Sequence, residues 1–147
     1  MESVRYYTRD RDSKGKRQMS LTIMERVAEA KSLVAAITPD ELAAIAHRDD
    51  VLVVDVRDHD EVAVTGIIEG AVHVTRGKLE FCADPASPFH KPIFSTDKTV
   101  VLYCQSGGRG SLCAKALLDL GYAEVRNLDG GFKAWVEYGG AVEKPAG

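Results

Sequence analysis

From Val100 to Leu120 an apolar run, a glycine-rich turn and a helical pattern follow one another without a linker, and this succession restricts the fold more than any other feature of the chain. Val100-Val101-Leu102-Tyr103 shows no polar alternation, as expected of a strand covered on both faces, and such strands belong to parallel sheets flanked by helices. The rest of the chain keeps this rhythm. Thr38-Pro39-Asp40-Glu41 is a capping box with proline at the first helical position, and it opens a helix through Ala46. Val51 to Val56 reads as a buried strand, Asp58 to Thr65 as a short helix before a turn at Gly66, Ala71 to Val74 as a strand and Arg76 to Cys82 as a short helix. The helix that begins at Ser111 stops at Gly121, Glu124 to Leu128 is a last strand, and Gly130-Gly131 leads into a final helix carrying Trp135. This alternation predicts an α/β fold: a mostly parallel central sheet of about five strands with helices on both faces. In such sheets ligands sit beyond the carboxyl ends of the strands, where Cys104 and Asp55 fall.

At 147 residues and 45% hydrophobic content the chain can bury one core, so one domain is expected. Residues 1–19 set Arg5, Arg9, Arg11, Lys14, Lys16 and Arg17 among Asp10, Asp12 and Ser13 without apolar periodicity. A mobile tail is predicted there, with a basic docking arm as the alternative. Over residues 20–37, Ile23, Val27, Ala30, Val34 and Ile37 recur at steps of four and three, which predicts a helix packed on its own domain or, alternatively, on a second copy. Monomer and homodimer are both compatible with that stripe. The folded domain is then expected over residues 38–142, with 143–147 as a C-terminal tail. A net charge of −3 gives no general attraction to nucleic acid, no run of about 18 apolar residues spans a membrane, and no signal peptide is evident. A soluble, cytoplasmic protein with neither a nucleic-acid nor a membrane partner is expected. Cys82, Cys104 and Cys113 suit neither a disulfide framework nor a CxxC pair, and His47, His59, His73 and His90 lack ligand spacing. Reduced thiols and no bound metal follow.

Chemistry is expected at Cys104, which stands where the apolar run stops, ahead of Gln105, Ser106, Gly107, Gly108, Arg109 and Gly110. The glycines let backbone N–H groups turn inward around one point, and the following helix adds the positive end of its dipole. Such a cradle welcomes an anion, and the thiolate rather than the thiol is the nucleophile. Asp55, Arg57 and Arg76 are the groups expected to support it. Cys113 falls among Leu112, Ala116, Leu117 and Leu120 and reads as core. Cys82 precedes a connection with Pro85, Pro88 and Pro92, long enough to fold over a site mouth. It reads as a bystander thiol, the alternative being a disulfide with Cys104 that resolves an intermediate on that thiol.

These residues resemble the rhodanese family of sulfurtransferases, whose active loop starts with a cysteine and holds a bound anion in a ring of main-chain amides. Asp55-Val56-Arg57, Glu61 and Gly66-Ile67-Ile68-Glu69-Gly70-Ala71 match the upstream signature of that family, and Leu128-Asp129-Gly130-Gly131-Phe132-Lys133-Ala134-Trp135 its downstream one. Two positions depart, since the family usually has His at the position of Ile67 and Pro at that of Glu69. The resemblance spans residues 38–142 and implies a single-domain rhodanese-like fold. It also implies a two-step transfer that needs no cofactor. Cys104 thiolate attacks the outer sulfur of a small donor such as thiosulfate, releases sulfite and keeps a persulfide; cyanide or a thiol acceptor, small molecule or protein, then removes the sulfur. Loop amides stabilise the charged sulfur at each stage. Arg109 either orients the donor or locks the loop by pairing with Asp55, Glu61 or Glu80.

Loop length separates this chemistry from phosphate-ester hydrolysis. Tyrosine phosphatases place one more residue between cysteine and arginine than the four here, and their arginine position holds Gly110 in this chain. The shorter ring resembles that of sulfur-carrying rhodaneses. The second loop position, often Arg in thiosulfate-using members, is Gln105, so less positive charge meets an incoming dianion. An alternative therefore stands beside the enzyme: a persulfide carrier or interaction module in a sulfur relay, with little turnover of its own.

Overall fold

The computed structural model describes residues 21–145, so the tail expected over residues 1–19 lies outside the described residues. Helix α1 (Ile23–Leu33) opens on a reciprocal cap: the Thr22 hydroxyl accepts from the Glu25 amide at 3.1 Å, and the Glu25 carboxylate accepts from the Thr22 amide at 3.0 Å. Of the apolar stripe, Val27, Ala30, Val34 and Ile37 are buried while Ile23 is exposed. The helix is shorter than expected, because residues 20–37 split after Leu33 into α1 and a strand, β1 (Ala35–Ile37). Two constraints from outside the stripe cause this. Strand β6 (Val125–Leu128) presents an edge on which Ala35, Ala36 and Ile37 pair in parallel register, and Thr38 must be extended in front of Pro39.

Helix α2 (Pro39–Ile45) begins at the capping box of Thr38 and Glu41. Strands β2 (Val51–Asp55), β4 (Val72–His73) and β5 (Thr99–Tyr103) join β1 and β6 in a five-stranded sheet ordered β1-β6-β5-β2-β4, with every neighbouring pair parallel. Side chains alternate across it. Leu52, Val54, Val100, Leu102 and Val125 pack against α4 (Leu79–Ala83) and α5 (Gly108–Asp119), whereas Val53, Val101, Tyr103 and Leu128 pack against α2, α3 (His59–Thr65) and α6 (Gly131–Tyr138). Helix α1 lies on α5, so its stripe is used within the chain. None of the helices in the described residues is long and apolar enough to cross a membrane.

A two-stranded antiparallel ribbon, β3 (Ile67–Ile68) with β7 (Val142–Glu143), was not legible in the sequence and takes Glu143 out of the expected C-terminal tail. It also explains how the two departures at residues 67 and 69 are accommodated. Ile67 is buried in the core, and the Glu69 amide donates to the Ala141 carbonyl at 3.0 Å, a bond that proline at 69 would forbid.

Candidate functional site

Asp55 ends β2, Tyr103 ends β5 opposite it, and Cys104 follows, so the cysteine leaves the sheet at the carboxyl edge of its central strands. Its Sγ accepts a hydrogen bond from the Gly107 amide at 3.1 Å. Gly107 caps α5 with φ 117°, a left-handed conformation open to glycine that turns its N–H back toward the sulfur. The amides of Gly108, Arg109 and Gly110 form the first turn of α5, and none of them, nor those of Gln105 and Ser106, has a protein acceptor among the described residues. First-turn N–H groups have no partner inside a helix and project past its end, which leaves these donors open toward the loop. The loop carbonyls face elsewhere. Those of Cys104 and Gln105 accept from the Phe132 and Lys133 amides, at 2.8 and 3.1 Å, in the first turn of α6. One helix N-terminus therefore grips the loop oxygens, while the first turn of another follows the loop with its amides free of protein acceptors among the described residues.

Both loop-side arginines are paired. Arg57 has no exposed surface; its guanidinium meets Asp55 at 2.8–3.1 Å, the Gly66 carbonyl at 2.9 Å, and the Thr65 hydroxyl and the Gln105 Oε1 at 3.1 Å. Its charge also lies over the Phe132 ring, 4.2 Å from the centroid. Arg57, held by Asp55, thus reaches the loop at Gln105. Among the three carboxylates that the sequence offers to Arg109, Glu61 is the partner: Nη1 and Nη2 donate to its two oxygens at 2.7 and 2.8 Å. Glu61 also accepts from the Asp58 amide, so the pair ties α3 to the loop. Hydrogen bonds from Arg109 hold the Glu61 carboxyl at about 2, against an ordinary 4.5. A carboxylate lowered in this way contributes stability above pH 4.5 and loses it as pH falls toward about 2. Glu61→Gln is accordingly expected to lose about 1 kcal/mol at neutral pH, with the gap to the native chain closing near pH 2, as read by urea unfolding across a pH series.

Cys104 itself is 1% exposed, at the base of the loop, whereas Ser106 is exposed and Gln105, Gly108 and Arg109 are half-buried. Gly110 does not line the mouth. It faces the sheet, where a Cβ would stand 2.5 Å from the Asn127 Oδ1. Arg76 is exposed just past β4, its amide on the Val56 carbonyl at 3.1 Å and its side chain in no ion pair among the described residues. Cys113 is core, and burial pushes its thiol up to about 12. Cys82 is buried and unpaired. From the proline-containing connection Phe94 enters the same core cluster as Cys104, beside Leu79, Cys82 and Ala83 of α4. Sequence reasoning missed Thr65, Phe132 and Asn127. Phe132 stood inside the matched downstream signature and Asn127 directly before it, which was the available signal.

A family model for the rhodanese-like domain matches residues 38–138, and the chain belongs to that family. A sulfurtransferase of Allochromatium vinosum is 33% identical over 103 residues, covering 70% of this chain and 88% of its own. Human thiosulfate:glutathione sulfurtransferase is 30% identical over 89 residues, 56% of this chain and 76% of its own. A solved structure from Rhodopseudomonas palustris, of a protein of unknown function described as a possible tyrosine phosphatase, superposes with a TM-score of 0.79 at 39% identity and covers 86% of this chain and 98% of its own.

Proposed function

We propose that the chain is a sulfurtransferase of the thiosulfate sulfurtransferase type, carrying a sulfane sulfur on Cys104. The observation that carries this reading is the amide of Gly107 on Sγ, together with the amides of residues 105, 106 and 108–110 in the same loop and helix turn, which have no protein acceptor among the described residues. In the first step the Cys104 thiolate attacks the terminal sulfur of thiosulfate or a similar donor. The S–S bond of the donor breaks, sulfite leaves with the electron pair, and the sulfur stays on Cys104 as a persulfide. In the second step an acceptor thiolate or cyanide attacks that outer sulfur and Cys104 departs as thiolate. The loop amides bind the sulfur charge at both stages. Burial of Cys104 favours donors whose sulfur is terminal and narrow. Gln105, held by Arg57, and Arg109, held by Glu61, shape the loop, while Arg76 supplies charge at its rim. Three unpaired cysteines suit a reducing compartment, and the cytoplasm is the one we propose.

The phosphatase description of the Rhodopseudomonas neighbour is not extended to this chain. Its loop is one residue short of a phosphatase ring, and Arg109 turns out to Glu61 instead of closing over an oxyanion. A specific observation does favour the carrier as second reading: the two loop-side arginines, Arg57 and Arg109, are neutralised by carboxylates, which lowers the attraction for a dianionic donor. Intact-protein mass spectrometry after thiosulfate, mercaptopyruvate or a cysteine persulfide tests the function. One added sulfur is expected in the native chain, in Cys82→Ala and in Cys113→Ala, and none in Cys104→Ala. Sulfur retained by Cys104→Ala would remove the proposal. Steady-state thiocyanate formation from thiosulfate and cyanide separates the enzyme from a carrier that loads and does not turn over.

A further inference from the structure

Asn127 contributes the one buried side-chain polar atom among the described residues that has no partner, Oδ1. Its other end is engaged, with Nδ2 donating to the Gly107 carbonyl at 3.1 Å. The residue is only 7% exposed, and an amide oxygen buried without a donor is destabilising, so the group is not there for stability. It is closely fitted. Gly110 faces it, and a Cβ at that position would stand 2.5 Å from Oδ1 and 3.4 Å from the Cys104 amide nitrogen. The register of β6 on β5 pairs Asn127 with Leu102, two residues before Cys104.

The Gly107 carbonyl also accepts from the Ser111 amide at 3.0 Å, so it is fixed from two directions. A trans peptide sets C=O and N–H antiparallel, so holding the Gly107 oxygen toward Asn127 turns the Gly108 N–H the opposite way. One peptide earlier, the Gly107 N–H meets the Cys104 sulfur at 3.1 Å. We propose that Asn127 is a positioning residue that aims the Gly107 and Gly108 amides for the sulfur of Cys104, a role that rests on the reading of Cys104 as the sulfur carrier.

Asn127→Leu keeps the branched heavy-atom outline while removing the donor and the orphaned oxygen together. Its urea midpoint is expected to equal or exceed the native one. Alkylation of Cys104 by iodoacetamide at fixed pH, followed on the Cys104 peptide, is expected to slow about tenfold, the worth of one hydrogen bond in a transition state. Asn127→Asp, which sets an acceptor against the Gly107 carbonyl, slows it further. In single-turnover loading from thiosulfate the maximal rate falls by a similar factor and the half-saturating concentration stays. Native or faster alkylation in Asn127→Leu overturns the proposal, as does a slowing matched by lost stability. If the native chain loads no sulfur while the alkylation gap persists, the sulfur-carrier reading fails and the positioning of the thiol stands. If the native chain loads and Asn127→Leu alkylates like it, the positioning role fails alone.

Discussion

Arg57→Met is expected to destabilise the folded chain by about 3–5 kcal/mol, the cost of stranding a buried charge. Asp55 has no exposed surface, and Arg57 is its only ion-pair partner among the described residues. The pair as a whole adds little net stability, because desolvating both charges offsets most of their attraction. Removing one partner is different, since Asp55 keeps its desolvation penalty with only the backbone amide of residue 57, at 2.9 Å, left to offset it. The double change Asp55→Asn with Arg57→Met should therefore recover most of the loss, and equilibrium urea unfolding of the native chain, the single variant and the double variant measures both numbers. The site should report the change as well. Gln105 loses its bond from Nη1, and sulfur loading of Cys104 is expected to slow even where the double variant folds.

Gly131→Ala carries the second large effect. Its φ is 60°, in the left-handed region, and a Cβ there would lie 2.6 Å from the Cys104 carbonyl oxygen and 2.7 Å from the carbonyl carbon and oxygen of Gln105. Those atoms are backbone and cannot swing aside. The conformational penalty is about 1–2 kcal/mol, and displacing the loop adds about 1–3 kcal/mol more. Gly70→Ala is the control, because its φ is 83° with nothing within 4 Å of the added carbon. It should show the first contribution alone, about 1–2 kcal/mol. Equal losses in the two variants would show that α6 does not press on the loop. A larger loss at 131, with Cys104 unable to load, shows that the amides of Phe132 and Lys133 hold the loop carbonyls in place.

The strand, loop and helix around Cys104 could be read from neighbours along the chain, because burial on both faces, glycine conformations and caps are local properties. Apolar runs without alternation mark β2 and β5, and the Thr38–Glu41 box marks the start of α2 to the residue. The break at Leu33 was not readable, since Ala35 to Ile37 is a strand only because β6 offers hydrogen bonds to it. Nor was the ribbon of β3 and β7, two residues on each side, which exists through pairing across more than seventy positions.

Residue types and their order along the chain were enough to specify a parallel α/β sheet and a cysteine at the mouth of a helix. Partners were left to the tertiary structure. The sequence did not rank Asp55, Glu61 and Glu80 as partners of Arg109, and folding chose Glu61 across 48 positions. Asn127 looked like any polar residue near a strand end until packing set it beneath Gly107, 20 positions away. The physical reason is the same in both cases. A charge or an amide in a sequence has strength but no direction, and hydrogen bonds form only where backbone geometry brings a donor and an acceptor within about 3 Å of each other in line.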